Sequence, residues 1–402
     1  MSGSRQPEAF ENKSIAELFE KLEPKSLGQE EFKKALVSEK EIIGVFGPTG
    51  TGKSLFAISY GLSATVRGLY KRMVLSRPIV DVVTGREITL FSDPQAYVKH
   101  ASDYLRDILA GFADPVALDE LMASGKLVLA DPHFLRGRTF DESVIIVDDA
   151  QGTSAETIVE IITRMGRKSK LIIAGDPVFQ RFGDRDGATL AREILLGEES
   201  AVVVDLGLRD IVRPGAKKGI KLLLEFQMRK RPLDELESRV RDAARIYAPD
   251  ADVVTVLNIE GLKKKYEITA QHVPGVLVIT KEGHVGRFVG AGGERVQKME
   301  KEVGVSIRAI EHTLDLREIV RAVHPVAWVY KHIVEADFAG NRVRLTVTGD
   351  AMGAALGQKG VYIRFLDEVF RKLIGAGIAV VEKREKEEES KEAKAKVRKR
   401  RS

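Results

Sequence analysis

Glu41-Ile-Ile-Gly-Val-Phe-Gly-Pro-Thr-Gly-Thr-Gly-Lys-Ser54 begins as an apolar run and breaks into a turn holding Gly47, Gly50 and Gly52. The run reads as a buried strand, and Ser54 to about Val66 reads as the helix that leaves the turn. Gly47 to Ser54 fits the spacing G-x-x-x-x-G-K-[ST], the pattern of a loop whose backbone amides wrap phosphate oxygens. Glycine lets the chain approach an anion closely, and the free N–H groups of a helix N-terminus favour negative charge there. Gly47, Pro48, Thr49, Gly50, Thr51, Gly52, Lys53 and Ser54 are therefore the candidate nucleotide-binding residues. In this pattern Lys53 reaches the β- and γ-phosphates and Ser54 ligates Mg²⁺, so ATP and magnesium are the expected cofactors.

Further apolar runs follow at Met73-Val-Leu75, Leu127-Val-Leu-Ala130, Val144-Ile-Ile-Val147, Leu171-Ile-Ile-Ala174 and Ala201-Val-Val-Val204. Continuous rather than alternating apolar residues predict strands buried on both faces, hence a parallel sheet. A helical pattern, Ser154 to Met165, lies between two of them, with Thr153 or Ser154 as its cap. Strand and helix alternating in this way predict an α/β fold. The run Val144–Val147 ends in two carboxylates: Asp148 is expected to hold Mg²⁺, and Asp149 to polarise the attacking water. The run Leu171–Ala174 leads to Asp176 and Gln180, placed at the strand end where a polar sensor of the γ-phosphate belongs.

The chain has 402 residues, room for two or three domains, and no Cys, which excludes disulfides and thiolate metal sites. No apolar stretch approaches a membrane span and the first ten residues hold no signal core, so a cytoplasmic protein without membrane attachment is expected. The net charge is +5, but from Glu382 to Ser402 ten Lys/Arg face six Glu, which puts +4 of it in the tail. Basicity is thus a property of the last residues, expected to be a disordered charged tail (383–402).

Past Arg231-Pro232 the chain changes character. Leu233 to Tyr247 reads as a charged linker helix (232–248). Beyond it, His284-Val-Gly-Arg-Phe-Val-Gly-Ala-Gly-Gly293 recurs as Ala351-Met-Gly-Ala-Ala-Leu-Gly-Gln-Lys-Gly360. The apolar positions of the helices that follow stay in register: Val296 with Ile363, Met299 with Leu366, Val303 with Phe370. Two copies of one small α+β unit explain this. Each copy carries a G-x-x-G loop, Gly290-Ala-Gly-Gly293 and Gly357-Gln-Lys-Gly360, ahead of an amphipathic helix. Such loops let the chain approach a nucleic-acid backbone.

Two resemblances rest on these residues. The stretch from about Gln29 to Arg213 resembles the PhoH family, itself similar to the first ATPase lobe of superfamily-one helicases. The segments that carry this are Gly47–Ser54, Val74-Leu-Ser-Arg-Pro78, Leu135-Arg-Gly-Arg-Thr139, Val147-Asp-Asp-Ala-Gln151, Gly175-Asp-Pro-Val-Phe-Gln180 and Asp210-Ile-Val-Arg213. The resemblance implies a RecA-like parallel-sheet ATPase domain (31–231, after an N-terminal segment 1–30). It implies that Gln29 reads adenine, that Gln151 and Gln180 couple the γ-phosphate to a nucleic-acid path, and that Arg77 and Arg138 lie near that path or the nucleotide. It also makes Arg213 a candidate arginine finger. The family has Asp-Glu where this chain has Asp148-Asp149, a shorter reach for the second carboxylate.

From about Pro249 to Glu382 the chain resembles the tandem KH region of the NusA family in its archaeal form. Lys281-Glu-Gly-His-Val-Gly286 and His324-Pro-Val-Ala327 fit, beside the two loops. This implies two type II KH units (249–314 and 315–382) and single-stranded RNA as partner. Gly290, Gly293, Arg295, Gly357, Gln358, Lys359, Gly360 and Arg364 are then the candidate RNA-binding residues. The first loop lacks the family's lysine and the second keeps Lys359, so the second unit is expected to dominate phosphate contact. Trp328 is expected in the core or between units.

The sequence thus predicts an RNA-binding ATPase, helicase- or translocase-like, with Lys53, Asp149, Gln180 and Arg213 catalytic. The alternative is a nucleotide-switched RNA adaptor with negligible turnover. With one helicase-like lobe visible, Arg213 is expected to come from a neighbouring copy in a homo-oligomer or ring.

Overall fold

The computed structural model describes residues 13–80, 86–135, 139–180 and 187–383. Arg138 and the basic tail beyond Lys383 lie outside the described residues. The chain divides into two compact units, one reaching to Lys217 and including Ala339–Asn341, the other holding Lys218–Phe338 and the residues from Arg342 on.

In the first unit the strands are β1 (Ile42–Phe46), β2 (Arg72–Ser76), β3 (Ile79–Val80), β4 (Glu87–Ile88), β5 (Leu127–Ala130), β6 (Ser143–Val147), β7 (Lys170–Gly175) and β8 (Ala201–Asp205). Six of them form one sheet in the order β5-β2-β6-β7-β1-β8, every pairing parallel. All six expected runs are therefore in this sheet. β3 and β4 form a separate antiparallel ribbon.

The apolar runs are continuous because each strand feeds two cores. Ile43, Val45, Met73, Leu75, Val144, Ile146, Ile172 and Ala174 point to one face. Their neighbours Ile42, Phe46, Val74, Ile145, Val147, Leu171 and Ile173 point to the other. Successive strand residues alternate faces, so a strand covered on both sides cannot alternate in polarity. The helix Ala155–Ile162 is capped by Ser154, whose side chain accepts from Thr157 N.

Two expected boundaries are corrected. Ile15, Leu18, Phe19 and Leu22, assigned to a separate N-terminal segment, are buried in the first unit's core. Ser63 ties them down, donating to Ile15 O at 2.7 Å and accepting from Phe19 N at 3.1 Å. The helix Glu235–Tyr247 is not a linker. Its Val240, Ala243 and Ala244 share a core with Val256, Val278, Met299 and Val303. Its outward charges hid an apolar stripe at helical spacing.

The second unit contains β9 (Val253–Asn258), β10 (Val276–Thr280), β11 (Ile307–Glu311), β12 (Ile333–Ala339), β13 (Arg342–Val347) and β14 (Gly377–Glu382). They form two three-stranded sheets, β11-β10-β9 and β12-β13-β14. The first half runs helix Glu235–Tyr247, β9, β10, helix Val285–Val289, helix Glu294–Val303, β11. The second runs helix Arg317–Val323, β12, β13, helix Met352–Leu356, helix Val361–Ile374, β14. Both follow α-β-β-α-α-β, and in each the last strand pairs in parallel with the one before the helix pair. The first half adds the short helix Glu260–Lys265 between β9 and β10. Trp328 is not core: 47% of it is exposed, with its ring edge-on to His332.

Candidate functional site

At the C-terminal edge of the six-stranded sheet, the chain leaves β1 through the glycine turn and enters the helix Lys53–Val66. Gly47 has φ 157°, and a Cβ there would stand 2.3 Å from Leu206 O, so no larger residue fits without moving β8. Thr51 is fully buried, donating from Oγ1 to Pro48 O at 2.8 Å. Lys53 Nζ lies inside the turn, donating to Gly47 O at 2.7 Å and Pro48 O at 2.9 Å. Burial lowers its pKa, opposed by the charges of Asp176, Asp149 and Asp148. An ammonium held among carbonyls at partial cost is prepared for a stronger anion, such as phosphate.

β6 delivers the acidic pair. Asp148 is buried; its Oδ1 accepts from Ser54 Oγ at 3.0 Å and its Oδ2 from the Tyr104 hydroxyl. Burial raises its pKa, and neighbouring Asp149 raises it further. Asp149 turns back in a left-handed conformation, φ 51° and ψ 43°. Its Oδ2 accepts from Arg77 at 2.7 Å (Nε) and 2.6 Å (Nη2), and its Oδ1 from Gln151 Nε2 at 3.0 Å. The Arg77 guanidinium also lies 3.5 Å from the centre of the Tyr104 ring. Burial disfavours its charge, but Asp149 and the other anionic neighbours leave its pKa raised. Burial likewise pushes the Tyr104 phenol up, helped by Asp148.

β7, between β6 and β1, delivers Asp176 and Gln180. Gln151 links the two strand ends, donating to Gln180 Oε1 at 3.0 Å and accepting from Asp176 N at 2.9 Å. Thr49, Gly50, Gly52, Lys53, Ser54, Asp149, Asp176, Gln180 and Arg213 line one cleft of about 510 Å³. Tyr104, Asp107 and Ile108, from the helix Pro94–Ile108, close one side. That helix carries no motif, and its part in the site was not legible in the sequence.

Gln29 is 2% exposed, its amide donating to Thr51 O at 2.9 Å and accepting from Lys25 N at 2.7 Å. It braces the turn through Thr51. Arg213 stands at the turn of its own chain, with Nη2 3.4 Å from Thr49 Oγ1 and the neighbouring Val212 N donating to Gly50 O at 3.1 Å.

Ser54 and Asp148 present oxygens side by side, the donor type that magnesium takes. They fit such an ion. Glu87, Asp131 and His133 form a separate group that could hold a metal. His133 Nε2 lies 3.2 Å from Glu87 Oε1, and both Asp131 oxygens accept backbone N–H groups, from His133 and Leu90. Those bonds account for the group without an ion.

In the second unit the two G-x-x-G loops share a backbone. Gly290 and Gly357 have φ 78° and 72° with ψ 171° and 167°. Gly292 and Lys359 are both left-handed, at φ 62° and 51°. Gly293 and Gly360 complete the pattern at φ 84° and 72°. Lys359 holds a conformation that suits glycine, which is strain borne at an exposed lysine. Gln358 and Arg364 are also exposed, Arg364 donating to Lys359 O at 2.7 Å. Arg295 is committed elsewhere, to the Asp250 carboxylate and Arg287 O. Beside β11 lies a cleft of about 850 Å³ lined by Val285, Arg308, Ile310, His312 and Arg321 among others. Sequence reading had assigned none of these five a role.

A family model described as PhoH-like protein matches residues 21–225. A PhoH-like protein of Mycobacterium leprae is 32% identical over 195 residues, 47% of this chain and 54% of that protein. One of Bacillus subtilis is 31% identical over 194 residues, 47% of this chain and 59% of that protein. The chain spans about half the length of these curated relatives. A solved chain described as a DNA replication initiation factor overlays at 17% identity and a TM-score of 0.26, covering 78% of this chain and 91% of that one. That likeness is too loose to carry an argument.

Proposed function

The chain belongs to the PhoH-like protein family, and from that premise we propose that it is an ATPase that hydrolyses ATP while binding single-stranded RNA. The observation that carries the reading is the phosphate cradle: Lys53 and the turn amides beside the facing oxygens of Ser54 and Asp148, 3.0 Å apart. Lys53 now donates to two loop carbonyls, and a triphosphate offers it anionic acceptors that bind more strongly. Magnesium, held by Ser54 and Asp148, would neutralise charge on the phosphate oxygens. Arg213 and Gln180 line the same cleft, where a guanidinium and an amide suit the γ-phosphate.

The RNA half of the proposal draws support from the repeated α-β-β-α-α-β order and from two loops of one backbone conformation. Both are what tandem KH units would present, with the strand backbone at the loops and bases in a groove such as that beside β11. A second reading, a nucleotide-switched adaptor with negligible turnover, draws on Asp149, whose two oxygens are taken by Arg77 and Gln151. Among the described residues no helix is long and apolar enough to cross a membrane.

The test measures binding of a fluorescent ATP analogue and phosphate release, with and without single-stranded RNA, for wild type and Lys53→Ala. The proposal expects RNA-stimulated release in the wild type and a loss of about 100-fold or more in Lys53→Ala. Binding without release, unchanged by RNA, would favour the adaptor. No affinity for ATP in millimolar magnesium would end both readings.

A further inference from the structure

The cleft beside the phosphate turn is lined by three cations, Lys53, Arg77 and Arg213, and by three carboxylates, Asp107, Asp149 and Asp176. Among the described residues only one of these cations is ion-paired. Lys53 donates to the carbonyls of Gly47 and Pro48, and Arg213 reaches the Thr49 hydroxyl. Arg77 is paired with Asp149.

That pair is lopsided. Arg77 gives both Nε, at 2.7 Å, and Nη2, at 2.6 Å, to one oxygen, Oδ2. Gln151 Nε2 holds Oδ1 instead, at 3.0 Å. The parallel grip on two oxygens that makes arginine–carboxylate pairs strong is therefore not formed. Asp149 also has a left-handed backbone, φ 51°, which stores strain at the pair. The two side chains are 28% and 30% exposed, so a ligand in the cleft can reach them. The Arg77 backbone is pinned, its O accepting from the Tyr97 hydroxyl at 2.9 Å, and its guanidinium lies 3.5 Å from the centre of the Tyr104 ring. The stem is anchored while the fork rests on a single oxygen.

The topology says which ligand reaches that fork. In the order β2-β6-β7-β1, Arg77 follows β2 and Asp149 follows β6, with β7 between them and the turn that leaves β1. A nucleotide seated in the turn extends its terminal phosphate toward the acidic pair, where magnesium and water meet it. A diphosphate ends short of that point. A terminal phosphate offers several oxygens, and a guanidinium takes two of them at once.

We propose that Arg77 is the specificity-determining residue by which this site tells a triphosphate from a diphosphate, exchanging Asp149 Oδ2 for two oxygens of the terminal phosphate. Asp149 keeps the water-polarising role, and the exchange opens its Oδ2 to the water only when a terminal phosphate is present. With a diphosphate bound, Arg77 stays on Asp149. Triphosphate binding therefore breaks one ion pair, and diphosphate binding breaks none.

The inference rests on the ATPase reading above. The experiment measures the affinity of a non-hydrolysable fluorescent ATP analogue and of the matching fluorescent ADP in millimolar magnesium. It compares wild type, Asp149→Asn, Arg77→Gln and the double variant. Asp149→Asn frees Arg77 in advance and is expected to tighten the triphosphate analogue about tenfold, leaving the diphosphate within about threefold. Arg77→Gln is expected to weaken the triphosphate about tenfold and to spare the diphosphate. With Arg77→Gln already in place, Asp149→Asn is expected to change neither affinity by more than about threefold. Tightening that persists without Arg77 is a loss of repulsion between Asp149 and phosphate, and it overturns the proposal. So does an Arg77→Gln variant that binds the triphosphate as wild type does, or one that loses both nucleotides, which would make Arg77 a strut. A wild type with no affinity for either nucleotide sinks the ATPase reading; nucleotide binding without the coupling sinks this inference alone.

Discussion

Glu237→Ala tests whether the helix Glu235–Tyr247 is part of the second unit's fold. Glu237 is buried at 2% exposure and holds three donors. Its Oε2 accepts from Asp234 N at 2.9 Å, closing the helix N-terminus in a capping box, and pairs with Arg231 at 3.1 Å. Its Oε1 accepts from Asn258 N at 2.9 Å, which fastens the helix to the end of β9. Truncation strands two backbone N–H groups and leaves a mostly buried arginine without its carboxylate. Breaking one buried pair costs about 3–5 kcal/mol, and the backbone donors fall within that total because some regain water. Glu237→Gln keeps an acceptor for Asn258 but not the charge, and should lose about half as much. The single Trp, Trp328, lies in the second unit, so its emission follows that unit alone during urea unfolding. At about 2 kcal/mol/M, the alanine midpoint should fall by about 2 M. A midpoint within about 0.5 M of wild type would show that the helix contributes little to the unit's fold.

Two further outcomes follow from single side chains. Lys170 is buried, donating to Leu36 O and Ser38 O, and burial lowers its pKa from 10.5 to about 8. The unfolded chain then holds a proton that the folded chain has released between those values, so stability rises with pH across that window, by up to about 3 kcal/mol. Melting temperatures of wild type and Lys170→Met from pH 7 to 10 should show the rise in the first and not the second; parallel curves would refute it. Lys359→Asp should weaken single-stranded RNA binding about tenfold and flatten its salt dependence. Arg295→Asp should do less, because Arg295 is already spent on Asp250. Anisotropy titrations at several salt concentrations decide this, and the reverse order would refute it.

The sheet and the phosphate turn were legible because they are local. A strand buried on both faces must be apolar at every position, and a turn that wraps phosphate needs glycines at fixed spacing, so Ile42–Ser54 announces both. The repeat was legible too, since two copies keep register. The helix Glu235–Tyr247 was misread because six charged residues conceal the packing of Val240, Ala243 and Ala244, which only β9 and the helix Glu294–Val303 reveal. Within the site, the sequence named Lys53, Ser54, Asp148 and Asp149, but residue identity does not say which oxygens are free. Tyr104 reaches Asp148 from 44 positions away, and Arg77 reaches Asp149 from 72. That Gln29 holds Thr51 O and that Arg213 stands beside Thr49 was not legible either. Contacts between distant segments are set by how helices pack on the sheet edge, and a linear pattern carries no record of that packing. The sequence thus determined the strands, the turn and the repeat. The tertiary structure decided which polar groups are satisfied and left Asp176 Oδ2 without a hydrogen-bond partner among the described residues.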